Sequence, residues 1–222
     1  MRTKFRLICL ILASVFAVSC EQNPIQPAQE SKIVDAIYRS LDLTPEQFGE
    51  NMVEQGLHEI PQYDFMADHY KTYAREAQRT PNNIAVYINF NNDTILEIEY
   101  ERSLNKNSDP AAYYKQFSTM IADYGYTEWQ GYYEYQKDGG DDHSTMEAKD
   151  IDDLFAKINN EDLRDIYTEQ KFFEVFTYTH QDGSRWNGRI RMVGSTYFSG
   201  MHEGEGEYYK DIQFNFILKR IQ

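Results

Sequence analysis

Basic residues are in short supply: 22 Lys plus Arg stand against 36 Asp plus Glu in 222 residues, a formal charge of -14. Nucleic-acid backbones are gripped mainly by clustered Lys and Arg, so this deficit excludes a nucleic-acid-binding domain. Cysteine is nearly absent, with 2 residues in the chain, which excludes a disulfide-stapled scaffold. The longest apolar run, residues 7 to 18, is too short to cross a hydrocarbon core of roughly 30 Å, which takes about 20 residues. Several catalytic signatures are missing as well. The chain has no GxSxG elbow, no phosphate-binding P-loop, no HExxH helix and no EF-hand spacing. Gly204-Glu205-Gly206 is no dinucleotide loop, because the flanking Glu residues would repel a pyrophosphate.

What remains is apolar enough to fold. Hydrophobic residues make up 41% and aromatic residues 15% of the chain, and its length suits one domain. The apolar run 7–18 follows Arg2, Lys4 and Arg6 with no acid among them, the pattern of a secretory signal peptide. It ends in Ala17-Val18-Ser19-Cys20, which resembles the lipobox of bacterial lipoproteins. That resemblance covers the first twenty residues alone. It implies cleavage before Cys20, acylation of the Cys20 thiol, and attachment of the mature chain to a membrane of the cell envelope. Removal of residues 1–19 would take Cys9 away and leave Cys20 as the single thiol. Two or three acyl chains hold firmly where one does not, since each buried methylene adds about 0.8 kcal/mol. The acidic globule is repelled by anionic headgroups, so the lipid alone is expected to hold it. The expected address is the outer membrane, with the domain periplasmic or surface-exposed.

Residues 20–32 carry Pro24 and Pro27 among polar residues and read as a tether, with a single domain over 33–222. A helix is expected from near Ile33, then a second behind a Thr44 cap with Pro45 and Gln47 completing the start signal. Residues 64–79 fit a helix or a strand. Alternation over Ile84–Phe90 and Leu96–Glu101, with Asn91-Asn92-Asp93 between, predicts a hairpin with one core and one acidic face. Asp109-Pro110 opens a further helix ending at Gly125, an aromatic strand covers 129–135, and Ile151–Ile158 marks another helix. Strands over 172–179, 186–193 and 212–218 close the chain. The fold class is α+β: antiparallel hairpins with helices packed on one face, and an element order that suggests two similar halves, 33–137 and 138–222.

The second hairpin supplies the main site argument. A two-residue turn at Asp182-Gly183 would put Phe173, Val175, Thr177 and Thr179 on a core face opposite Met192, Ile190, Gly188 and Trp186. The other face would hold Phe172, Glu174, Phe176 and Tyr178, with Glu174 across from Arg191, Phe176 across from Arg189 and Tyr178 across from Asn187. Phe176, Tyr178, Arg189 and Arg191 therefore form the candidate binding surface, because Arg and aromatic side chains carry much of the energy at interfaces. The plainer reading has a helix covering these pairs. Residues 202–207 (HEGEGE) offer His202, Glu203 and Glu205 to a metal, and 138–143 (DGGDDH) is similar, but Gly-rich acidic loops are usually solvated rather than preorganised. No cofactor is implied. Glu97, Glu99 and Glu101 recur about 7 Å apart on one strand face, a spacing that paired-carboxylate glycoside hydrolysis could use and that a solvated face explains more simply. The sequence thus favours a non-enzymatic envelope module binding a protein or glycan partner, with an envelope-polysaccharide hydrolase as the alternative.

Overall fold

Ile33, Val34, Ile37, Tyr38 and Leu41 recur at the spacing of one helical stripe, and all five are buried. They belong to α1 (Pro27–Arg39) and the turn that follows it. The helix therefore begins inside the segment expected to be tether, and its first turn already carries a buried residue, Glu30. The computed structural model describes residues 27–61, 68–77, 83–104, 109–137, 143–160, 168–199 and 207–222.

Helix α2 (Pro45–Glu54) starts as its sequence requires. The Thr44 hydroxyl accepts from the Gln47 backbone N–H at 3.3 Å, and the Gln47 side chain accepts from the Thr44 N–H at 3.2 Å. Two of the orphan donors of the first turn are thereby satisfied. Asp109 caps α3 (Pro110–Ala122) by accepting from the Ala112 N–H at 3.1 Å. Helix α4 spans Ile151–Asn160. No helix among the described residues is long and apolar enough to cross a membrane.

The strands are β1 (His58–Ile60), β2 (Tyr70–Ala74), β3 (Ile84–Asn91), β4 (Thr94–Ser103), β5 (Thr127–Lys137), β6 (His143–Ala148), β7 (Thr168–Thr179), β8 (Arg185–Ser199) and β9 (Glu207–Arg220). They form one nine-stranded sheet in the order β1-β2-β3-β4-β9-β8-β7-β5-β6, and every pair is antiparallel. The protein is thus α+β with the sheet dominant. The ambiguous stretch 64–79 contributes strand β2, and β6 begins at His143, within what reads in the sequence as a loop. Strands on either side of residue 137 share this sheet, because β4 pairs with β9 and β5 with β7.

Cross-strand partners share a face, so the register sorts the side chains. Tyr100 pairs with Phe216, Phe216 with Ile190 and Ile190 with Glu174. This inner face holds the core: Ile98, Tyr100, Phe214, Phe216, Leu218, Ile190, Met192, Trp186 and Phe172 are all within 1% of complete burial. Each such large side chain contributes about 1.5–3 kcal/mol on leaving water. Tyr38 of α1 lies 5.9 Å from Phe216, and Phe117 of α3 lies 4.5 Å from Phe214, ring centre to ring centre. Phe155 of α4 meets Tyr114 of α3 edge to face at 6.5 Å.

Polar groups also tie the helices down. Glu30 accepts from the hydroxyls of Tyr100 and Tyr113 and, at 2.7 Å, from the Arg102 guanidinium. Burial works to lower the Arg102 pKa, but the Tyr113, Glu30 and Tyr100 oxygens outweigh it and raise the value, so the guanidinium stays charged. The Tyr124 hydroxyl donates to Asp35, and Arg220 donates to the Leu41 carbonyl at 2.9 Å. Farther along the sheet Glu174 is completely buried. Trp129 Nε1 donates to it at 2.6 Å. The Tyr114 and Ser118 hydroxyls lie against the carboxyl without reaching full hydrogen-bond geometry. Burial raises the Glu174 pKa, and these three groups offset only part of that rise.

Candidate functional site

The second hairpin turns through three residues rather than two. The His180 N–H donates to the Ser184 carbonyl at 2.8 Å, and the Gly183 N–H donates to the His180 carbonyl at 2.9 Å. Gly183 takes φ of +86°, the left-handed position of a bulged three-residue loop, where a side chain is costly. The extra loop residue shifts the register by one, and a one-residue shift moves a whole strand's side chains to the other face. Glu174 consequently faces Ile190, Phe176 faces Gly188, and Tyr178 faces Trp186.

The four candidate surface residues are therefore divided between the faces. Phe176 is 3% exposed and Tyr178 9% exposed, both in the core. Phe176 stacks on Tyr126 at 4.6 Å and passes directly over Gly188, where an added Cβ would sit 2.1 Å from the ring. Tyr178 meets Tyr38 edge to face at 4.9 Å. Arg189 and Arg191 sit on the outer face, Arg189 opposite Val175 and Arg191 opposite Phe173. The expected pairings of Glu174 with Arg191 and of Phe176 with Arg189 do not occur. Cys20, His202, Glu203, Glu205 and residues 138–142 lie outside the described residues. Among the described residues no cluster of three or more His, Cys, Asp or Glu is placed to hold a metal.

The outer face carries a site of its own. Gln130 pairs with Val175, Val175 with Arg189, and Arg189 with Ile217. One step along, Thr177 pairs with Asn187, Asn187 with Lys219, and Lys219 with Glu97. These two rows cross five strands, a span of about 19 Å at the usual strand spacing. Together with Glu128 they line an open depression of about 780 Å³. Val175 and Ile217 flank Arg189 on the two neighbouring strands, and Gln130, Asn187 and Arg189 stand exposed.

Most charges in this region are already matched. Lys219 lies 3.4 Å from Glu97, and Glu128 accepts from the Thr177 hydroxyl at 2.6 Å and lies 3.8 Å from Arg185. Arg191 donates to the Asn215 carbonyl oxygen at 3.2 Å, and the Asn215 amide donates to Glu99 at 2.7 Å. Burial first, then Glu101 and Glu97, raise the Glu99 pKa, opposed by Arg191 and the Asn215 hydrogen bond. Arg189 instead stands over the Phe173 ring at 5.9 Å, and Phe173 in turn stacks on Tyr132 at 5.0 Å.

Gln130, Thr177, Ile217 and Lys219 escape a sequence reading of the site, whereas Asn187 belongs with Arg189 and Arg191 to the outward face expected of β8. The signal for the site lies in β8, where Asn187, Arg189 and Arg191 are polar and Trp186, Ile190 and Met192 are apolar. What obscures it is β7, whose inner face contains the charged Glu174. The chain matches no known family model, no curated protein and no solved structure.

Proposed function

We propose that this protein is a lipid-anchored module of the bacterial cell envelope that binds a protein or glycan partner through the outer face of its sheet, without catalysing a reaction. In this reading Cys20 carries the acyl chains at the outer membrane. Helices α1–α4 cover the inner face, and the outer face stays open to the partner. The observation that carries the reading is the depression of about 780 Å³ across β5, β7, β8, β9 and β4, with Arg189 exposed between Val175 and Ile217. Its volume lies in the range of roughly 300–1,000 Å³ typical of ligand sites.

A photo-crosslinking amino acid at position 187 tests it in the native, membrane-attached chain. A defined adduct that disappears when the crosslinker is moved to the remote, exposed position 53 supports the reading. Absence of any adduct from 187, with the protein correctly localised, rejects it. A companion variant, Cys20→Ser, is expected to move the chain from the membrane fraction to the soluble one.

One observation favours hydrolysis of envelope polysaccharide: the Glu99 carboxyl is raised by burial and sits two residues from Glu97 and Glu101 on the same face, as an acid beside a second carboxylate would. Glu99 does not line the depression, however. The acids that do, Glu97 and Glu128, each lie beside a cation. Release of reducing ends from envelope polysaccharide by the purified protein, lost in Glu99→Gln, would establish this reading over the first.

A further inference from the structure

Within the outer-face depression the charges are arranged unevenly, and the arrangement selects a ligand. Lys219 faces Glu97, and Arg185, just outside the depression, faces Glu128. Among the described residues Arg189 has neither an ion pair nor a hydrogen bond, and its guanidinium stands over the Phe173 ring. An exposed guanidinium presents a planar fork of donors that matches a carboxylate in two parallel hydrogen bonds. On the same face stand Asn187, two residues along β8, and Gln130, two strands away on β5, each side-chain amide able to donate and to accept, as a ring of sugar hydroxyls requires. Val175 and Ile217, on either side of Arg189, offer aliphatic contacts to the C–H face of a sugar ring.

From this geometry we infer that the occupant is an oligosaccharide bearing an isolated carboxylate, a uronic or sialic acid residue, with the carboxylate held by Arg189 and the neighbouring hydroxyls by Asn187 and Gln130. The inference rests on the binding reading above and narrows it. A densely charged polyanion does not fit, because Glu97 and Glu128 stand at opposite ends of the lining and the chain carries -14 overall. A protein partner fits less well. Its hot spots are enriched in Trp and Tyr as well as Arg, and among the described residues the exposed large hydrophobic side chains, Val53, Tyr70, Met146 and Ile221, all lie outside the depression.

Titration calorimetry on the full chain tests this with two acidic probes that carry one carboxylate each, glucuronosyl-xylobiose and N-acetylneuraminyl-lactose, each beside its carboxyl methyl ester. At least one acid is expected to bind, and its ester to bind roughly 10- to 100-fold more weakly, the loss expected for a charge-assisted pair. Arg189→Ala should cause a loss of the same size, Arg189→Lys a smaller one, and Asn187→Ala a loss shared by acid and ester. The preferred acid distinguishes a uronic from a sialic source. Equal binding of acid and ester, or an Arg189→Ala variant that binds as the parent does, overturns the inference. Failure of both probes while the crosslink from position 187 to a protein persists overturns the glycan class and leaves the binding face standing. Loss of that crosslink as well rejects the binding reading itself.

Discussion

Removing the Glu30 carboxylate should be among the most damaging single changes to this fold. Glu30 and Arg102 side chains are only 8% and 9% exposed and lie 2.7 Å apart. Truncation in Glu30→Ala strands a buried guanidinium, for which the typical loss is about 3–5 kcal/mol. For a domain of this size each kcal/mol moves the melting temperature by about 2–4 °C, so the expected fall is about 6–20 °C. Part of that cost belongs to the orphaned charge rather than to the missing contact. Glu30→Ala/Arg102→Met should therefore recover a substantial part of it. What persists comes from the Tyr100 and Tyr113 hydroxyls, at about 1–3 kcal/mol for each one left without its acceptor. Adding Tyr100→Phe and Tyr113→Phe should recover most of the remainder. Urea unfolding followed by tryptophan fluorescence and circular dichroism measures all four proteins, with an unchanged denaturant slope as the check on two-state behaviour. A loss under 1 kcal/mol in Glu30→Ala, or no recovery on removing Arg102, would refute the argument that the carboxylate holds a buried charge.

Further expectations follow from other parts of the fold. Because burial raises the Glu174 pKa in the folded state, the native protein binds more protons than the unfolded chain between the two values. Stability should therefore fall as pH rises from the ordinary glutamate range toward that raised value, and Glu174→Gln should flatten the decline in melting curves taken across pH. Trp129→Phe removes the donor held 2.6 Å from the same carboxyl and should cost about 1.5–3 kcal/mol in chemical unfolding. Gly188→Ala pushes a methyl group against the Phe176 ring and should cost about 1–3 kcal/mol, with Phe176→Leu relieving part of the loss. Arg189→Ala, on the exposed face, should leave stability within about 0.5 kcal/mol of the parent, so that any loss of binding can be read as loss of contact.

Local chemistry was legible wherever a few adjacent residues decide the outcome. The Thr44–Gln47 capping box, the Asp109 cap with Pro110 behind it, the Asn92-Asp93 turn and the acidic outer face of β4 all follow from spacing, because caps, turns and two-residue alternation act over three or four positions. Helix α1 reaches six residues further toward the amino terminus than its apolar stripe indicates. Its first turn docks through Glu30 onto Tyr100, Tyr113 and Arg102, which come from β4 and α3, partners some 70 to 80 positions away in the chain.

The face assignment of β7 shows where sequence stops deciding. Glu174 reads as an outward residue, since an acid in a strand is ordinarily solvated, and a two-residue turn at Asp182-Gly183 agrees with that placement. Gly183 instead completes a three-residue loop, and Trp129, Tyr114 and Ser118 converge on the buried carboxyl from β5 and α3. Composition, charge and short-range signals by themselves determined the α+β class, the caps and most strand positions. The shared inner face of the sheet, the burial of Glu174 and Glu30, and the collection of Gln130, Asn187, Arg189 and Lys219 around one depression were decided by tertiary structure. A buried charge is tolerable only when distant donors arrive together, and a sheet face acquires its identity only when its register is set.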